Sequence, residues 1–184
     1  MHAPAVAAAL VLLSFAAAPP ENARRFFPLE PRSAWTFEDT GSGGTSSMTV
    51  TRARAGRFQL ERFPGARHLR VRWSGQTLQA WDTAQRRWEA LLPLGAKAGT
   101  RSRVDLPPPL WNDARITVAS RQTAVRSGRR SYRGTVRLDV RPPPGLSDGG
   151  ILGLWFAPHV GLVRWVEQTI AGPVAHVLVS GPRM

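Results

Sequence analysis

There is no cysteine in this chain. That absence removes disulfides, thiolate metal sites and cysteine nucleophiles together. Lysine is almost missing as well: Lys97 stands alone, and the other 24 of the 25 basic residues are arginine. Acidic residues number only 12 and are scattered, with Glu38-Asp39 the sole adjacent pair. Neighbouring strand residues point to opposite faces, so this pair does not read as a catalytic dyad. None of His2, His68, His159 and His176 has a second histidine or a carboxylate at metal-ligand spacing. No metal site and no cofactor are expected. Ser147-Asp148-Gly149-Gly150 superficially suggests a serine nucleophile but lacks the G-x-S-x-G elbow. Catalysis, a hydrolase included, is therefore the least favoured class. Sustained, capped helical spacing is also lacking beyond the N-terminus.

What is present is basic charge, proline and glycine. The formal net charge is +13 over 184 residues, a length that fits one domain with a real core. Abundant arginine, alanine, glycine and proline fit a GC-rich coding sequence. The same guanidinium forks also suit phosphate or carboxylate partners.

Residues 3–18, APAVAAALVLLSFAAA, form an uncharged run of small and apolar residues. Its Val6–Phe15 centre is too short to span a bilayer but suits a signal-peptide core. Residues 1–18 are accordingly read as a signal peptide cleaved near 16–18, with 19–33 a proline-rich leader and 34–184 one β domain. A periplasmic or secreted location follows, with no transmembrane span in the mature chain.

From Trp35 onward, short alternating segments are separated by turn signals at regular spacing. Leu69, Val71 and Trp73 share one strand face and Arg70 and Arg72 the other. Val136, Leu138 and Val140 point in while Arg137, Asp139 and Arg141 point out. The runs Ile151–Phe156 and Leu162–Ile170 flank a Pro158–Gly161 turn, and Val174–Ser180 follows Gly172-Pro173. These last segments are apolar on consecutive residues, which predicts central strands covered on both faces. The predicted fold is all-β: a single curved antiparallel sheet, a meander closing into a half-barrel or barrel, of roughly ten to twelve strands.

Two segments, FFPLEPRSAWTFED at 26–39 and WFAPHVGLVRW at 155–165, resemble the opening and closing signatures of a broad set of exported or lipid-anchored bacterial proteins. The signatures read F-P-L-x-x-G-x-x-W-x-[YF] and W-[YF]-A-P-G-V-G-L-V. The resemblance implies a curved antiparallel sheet, similar in shape to the half-barrels of periplasmic lipoprotein carriers, and no particular reaction. Trp35, Phe37, Trp155 and Phe156 read as core residues. Arg32 and His159 stand where the signatures have glycine; His in place of Gly predicts a type I turn at the tip.

Seven tryptophans are enough to line an apolar site. A sheet that does not close needs a helix, loop or ligand over its concave face, and no helix is available by pattern. Trp73, Trp81, Trp111, Trp155, Trp165 and the tip residue His159 are the candidate ligand-binding residues, with the proline-rich loops 105–114 and 142–150 as candidate lids. Arg52, Arg54, Arg70, Arg72, Arg137 and Arg141 are candidates for an anion-binding stripe if their strands are neighbours. The leading expectation is a non-catalytic envelope module that binds or carries a lipid-like ligand or acts structurally. The alternative is an arginine-rich surface for anionic envelope polymers, with lipopolysaccharide or phospholipid head groups preferred to nucleic acid.

Overall fold

The alternation of apolar and polar residues becomes twelve antiparallel strands in one sheet. We analysed a computed structural model, which describes residues 22–106, 111, 113–142 and 149–182, apart from the side chains of Arg52 and Ala53. The signal-peptide segment and most of the two proline-rich loops lie outside the described residues. The strands are β1 (Ala34–Asp39), β2 (Thr45–Arg54), β3 (Arg57–Phe63), β4 (Ala66–Ser74), β5 (Thr77–Asp82) and β6 (Arg87–Leu92). They continue as β7 (Arg101–Val104), β8 (Ala114–Ser127), β9 (Arg130–Arg141), β10 (Gly150–Ala157), β11 (Gly161–Thr169) and β12 (Gly172–Ser180).

The sheet order is β6-β5-β4-β3-β2-β1-β12-β11-β10-β9-β8-β7. Two meanders are thus joined where the first strand pairs with the last. The sheet curls into a nearly closed barrel, and its free edges, β6 and β7, come together without a hydrogen-bonded ladder among the described residues. The β7–β8 ladder is extended ahead of β7, Gly99 N–H donating to Val118 O and Val118 N–H to Thr100 O, and the seam itself is bridged by a side chain. Arg121 on β8 donates to the carbonyls of Leu94 and Ala96, at 2.6 and 3.0 Å, in the connection after β6.

The leader packs into the interior beside the side chains of the strands. Residues Ala23–Phe26 form one turn of 3-10 helix, capped by Asn22, whose side-chain oxygen accepts from Arg24 N–H. Ala23, Phe26 and Phe27 are buried. The Phe27 ring meets Trp35, Phe63 and Phe156 at centroid distances of 5.4, 6.3 and 5.5 Å. The Trp35 indole N–H donates to Val160 O at 2.7 Å, which ties the opening motif to the closing one. Gly161 is required at this contact. Its φ is +95°, and a Cβ there would sit 2.9 Å from Trp35 Nε1. The concave face that the sequence leaves without a helical cover is therefore stoppered by a 3-10 turn, too short to show helical periodicity.

Bulges shape the other side. The β10–β11 register shifts between Trp155 and Phe156, and the β1–β12 register between Thr36 and Phe37. The β11–β12 pairing runs only to Arg164↔Val177. At the next step the Ser127 hydroxyl, from the tip of the β8–β9 hairpin, is inserted between the strands. It accepts from Leu178 N–H at 2.8 Å and donates to Val163 O. One buried hydroxyl satisfies a donor and an acceptor that the ladder leaves unpaired.

Two expectations are corrected by this topology. β12 is central in the sheet but not covered on both faces, because Val179 is 45% exposed. Trp155 is not a core residue: it is half-buried, and its ring lies against Gly153, where a Cβ would meet it at 2.9 Å. Among the described residues no helix is long and apolar enough to cross a membrane.

Candidate functional site

The six predicted arginines do not form one stripe. Arg52, Arg54, Arg70 and Arg72 belong to β2 and β4, whereas Arg137 and Arg141 belong to β9, separated from β2 by β1, β12, β11 and β10. Two separate outward patches result.

The first lies on β2 to β6. The two-residue turn Ala55-Gly56 sets Arg54 opposite Arg57, and the next hairpin sets Arg57 opposite Arg72. Three guanidinium groups thus stand in one row across neighbouring strands, where like charges repel. Arg72 lies 4.5 Å from the Trp88 ring centroid and donates through Nε to Gln79 at 2.9 Å. Arg70 lies 5.5 Å over Trp81, and the two indoles meet edge-to-face at 5.4 Å. Each such cation–ring contact is worth about 0.5–1 kcal/mol at an exposed site. Arg54, Arg57, Phe58, Gln59 and Arg70 line an open groove of about 560 Å³. At its border Glu61 is bonded by Gln59, Thr51 and His68. Burial pushes the Glu61 carboxyl up, but Gln59 and the charge and hydrogen bond of His68 outweigh it, so the net shift is downward.

The second patch lies on β7 to β10. Arg103 stands opposite Arg115, and Arg115 opposite Arg141. Arg101, on the same face, pairs in register with Thr117, and Thr117 with Asp139. Arg137 holds Asp139 at 2.7 Å, and Arg103 holds Asp113 at 2.6 Å. Alongside, Trp155 is flanked by Arg137 and Arg164, 5.2 and 5.3 Å from its ring centroid.

Of the predicted ligand-binding residues only Trp73 and His159 are brought together, on one groove of about 640 Å³ beside the leader. Trp81 and Trp155 sit on the two outward patches, and Trp73 is half-buried beside the leader. Trp111 is a core residue, 2% exposed, its indole N–H donating to Pro64 O at 3.0 Å. Trp165 is buried and stacks on His176 at 3.6 Å, while His176 Nε2 pairs with Glu167 at 2.9 Å. His159 is exposed at the hairpin tip with φ +64°, so the expected type I turn is overturned: the residue takes the left-handed conformation that glycine favours. Its N–H donates to Arg25 O at 2.6 Å, which holds it there. Arg32, the other departure from the signatures, is also left-handed, at φ +71°. Both positions keep the backbone of a glycine without being one.

Sequence reasoning missed Arg57, Arg103 and Arg115. The short Ala55-Gly56 turn was a legible signal for Arg57; the other two needed strand registers. No group of three potential metal ligands occurs among the described residues. Asp39 is a turn residue: it accepts from the backbone N–H groups of Gly41 and Ser42, and those bonds hold its carboxyl below the ordinary value.

No family model and no curated protein matches the chain. Two solved structures are similar over most of its length. One is described as a candidate exported protein with a YmcC-like fold from Bacteroides fragilis, at 12% identity and a TM-score of 0.45, over 86% of this chain and 99% of that one. The other is described as a candidate lipoprotein from Parabacteroides distasonis, at 12% identity and a TM-score of 0.37, over 85% and 97%.

Proposed function

We infer that this chain is a non-catalytic, exported envelope module that works through its outer surface, docking on anionic head groups or polymers rather than carrying a lipid inside. The N-terminal run at 3–18 supports export to the periplasm or beyond. The filled interior argues against internal carriage, since Phe27, Trp35, Phe63 and Phe156 occupy the space an acyl chain needs. The observation that carries the reading is the Arg54–Arg57–Arg72 row, with Arg72 over Trp88 and the neighbouring Arg70 over Trp81. Tryptophan under arginine gives a surface with an apolar body and a charged front, suited to the boundary between head groups and water.

The test is sedimentation with phosphatidylcholine vesicles, with and without phosphatidylglycerol. Binding should need the anionic lipid and fall steeply as salt is raised. Near such a surface each arginine is worth about 1 kcal/mol, so the triple variant Arg54→Gln, Arg57→Gln, Arg72→Gln should bind about 100-fold more weakly. Equal binding to neutral vesicles, or indifference to salt, overturns the reading.

A further inference from the structure

We propose that the second patch is a separate and different site: the Arg103–Arg115–Arg141 row is a receptor for adjacent phosphoryl groups, of the pyrophosphoryl type. The site is built across three strands. Arg103 faces Arg115 and Arg115 faces Arg141, with Arg101 beside them on the same face. Arg101, Arg103, Arg115, Thr117, Asp139 and Arg141 line one open groove of about 560 Å³. Neighbouring strands lie about 4.8 Å apart, so the three arginines spring from backbone positions within about 10 Å of one another. Directly opposed like charges destabilise a sheet. Here two such pairs share one arginine.

The carboxylates nearby do not neutralise the row. Asp113 is engaged by Arg103, and Asp139 by Arg137 from outside the row. Among the described residues no carboxylate pairs with Arg101, Arg115 or Arg141. Among the described residues no aromatic ring lies under these three either, unlike Arg70 and Arg72. The groove is lined by these planar donor forks, by Thr117 and by Asp139, whose carboxylate Arg137 already engages. Guanidinium forks match phosphoryl oxygens in pairs. Two linked phosphoryl groups concentrate in a small volume about as much negative charge as the three unpaired arginines supply. A single carboxylate does not, and an extended polymer would not need the charges so close.

This inference does not rest on the vesicle reading, because the two patches share no residue. It predicts that inorganic pyrophosphate raises the melting temperature by about 5 °C at saturation, beyond sodium chloride at equal ionic strength. Arg115→Gln removes the centre of the row. It should melt no lower than wild type in dilute buffer, since repulsion is relieved, and lose the pyrophosphate-specific shift. Arg115→Lys keeps the charge without the fork and should retain only part of it. Phosphorus NMR of pyrophosphate with the unaltered protein reads binding without any variant, as line broadening that citrate does not reverse at equal concentration. A shift no larger than that of sodium chloride, reversal by citrate, or a full response in Arg115→Gln overturns the proposal. The source of the group is read with phosphatidylcholine vesicles containing diacylglycerol pyrophosphate, using the Arg54→Gln, Arg57→Gln, Arg72→Gln protein. Retention that pyrophosphate competes away assigns a lipid-borne group; no retention alongside an intact melting shift assigns a soluble one.

Discussion

The two arginine rows have the same plan and different foundations. In each, three cations stand directly opposite one another on three adjacent strands. On β2 to β4, Arg72 and its neighbour Arg70 lie over Trp88 and Trp81, and Gln79 fixes Arg72. On β7 to β9 no ring among the described residues lies beneath the row, and the adjacent aspartates are held by Arg103 and Arg137. Both rows border an open groove of about 560 Å³. A row backed by rings joins charge to apolar area and suits a broad interface, whereas a bare row leaves donor forks free for a compact anion. Net charge predicts neither, since it says nothing of which cations are neighbours.

The comparison depends on both rows being displayed by one filled barrel, and the largest expected effect comes from emptying it. Phe27→Ala removes the ring that touches Trp35, Phe63 and Phe156, and should cost about 3–5 kcal/mol in chemical denaturation. A loss below about 1 kcal/mol would mean that the leader is not an integral plug. A smaller effect separates the rows themselves. Trp88→Ala takes away the ring under Arg72 and should weaken binding to phosphatidylglycerol vesicles about threefold, with the pyrophosphate response of the other row unchanged. If both responses fell together, the rows would not be independent sites.

How far this was legible in the sequence can be seen residue by residue. Alternation placed Arg70, Arg72, Arg137 and Arg141 outward and Val136, Leu138 and Val140 inward, because the period of two is a local property of the chain. The all-β architecture and the strand number followed from the same pattern. Which arginine faces which was not local. Arg115 meets Arg141 only after a β8–β9 hairpin whose register shifts between Val118 and Ser120, Ser120 and Thr123, and Thr123 and Val125. Such irregularities change both pairing and facing and leave no dependable mark in composition. Trp155 misled for a related reason, lying beside a bulge in a run of consecutive apolar residues. The plug was missed because a single 3-10 turn has no periodicity to detect, although Phe26-Phe27 within a proline-rich leader was a visible apolar pair. The left-handed backbones of Arg32 and His159 were hidden by side chains that rarely adopt that conformation.

The central claim is that this molecule meets its partners on the outside of a barrel whose inside is already occupied. Hydrogen exchange of the protein bound to phosphatidylglycerol vesicles tests it most directly. The account predicts slowed exchange on β2 to β5, around Arg54, Arg57 and Arg72, with the amides of Phe27, Trp35 and Phe156 unchanged. Faster exchange at Phe27 and in the leader, signalling that the plug leaves to admit an acyl chain, would contradict it.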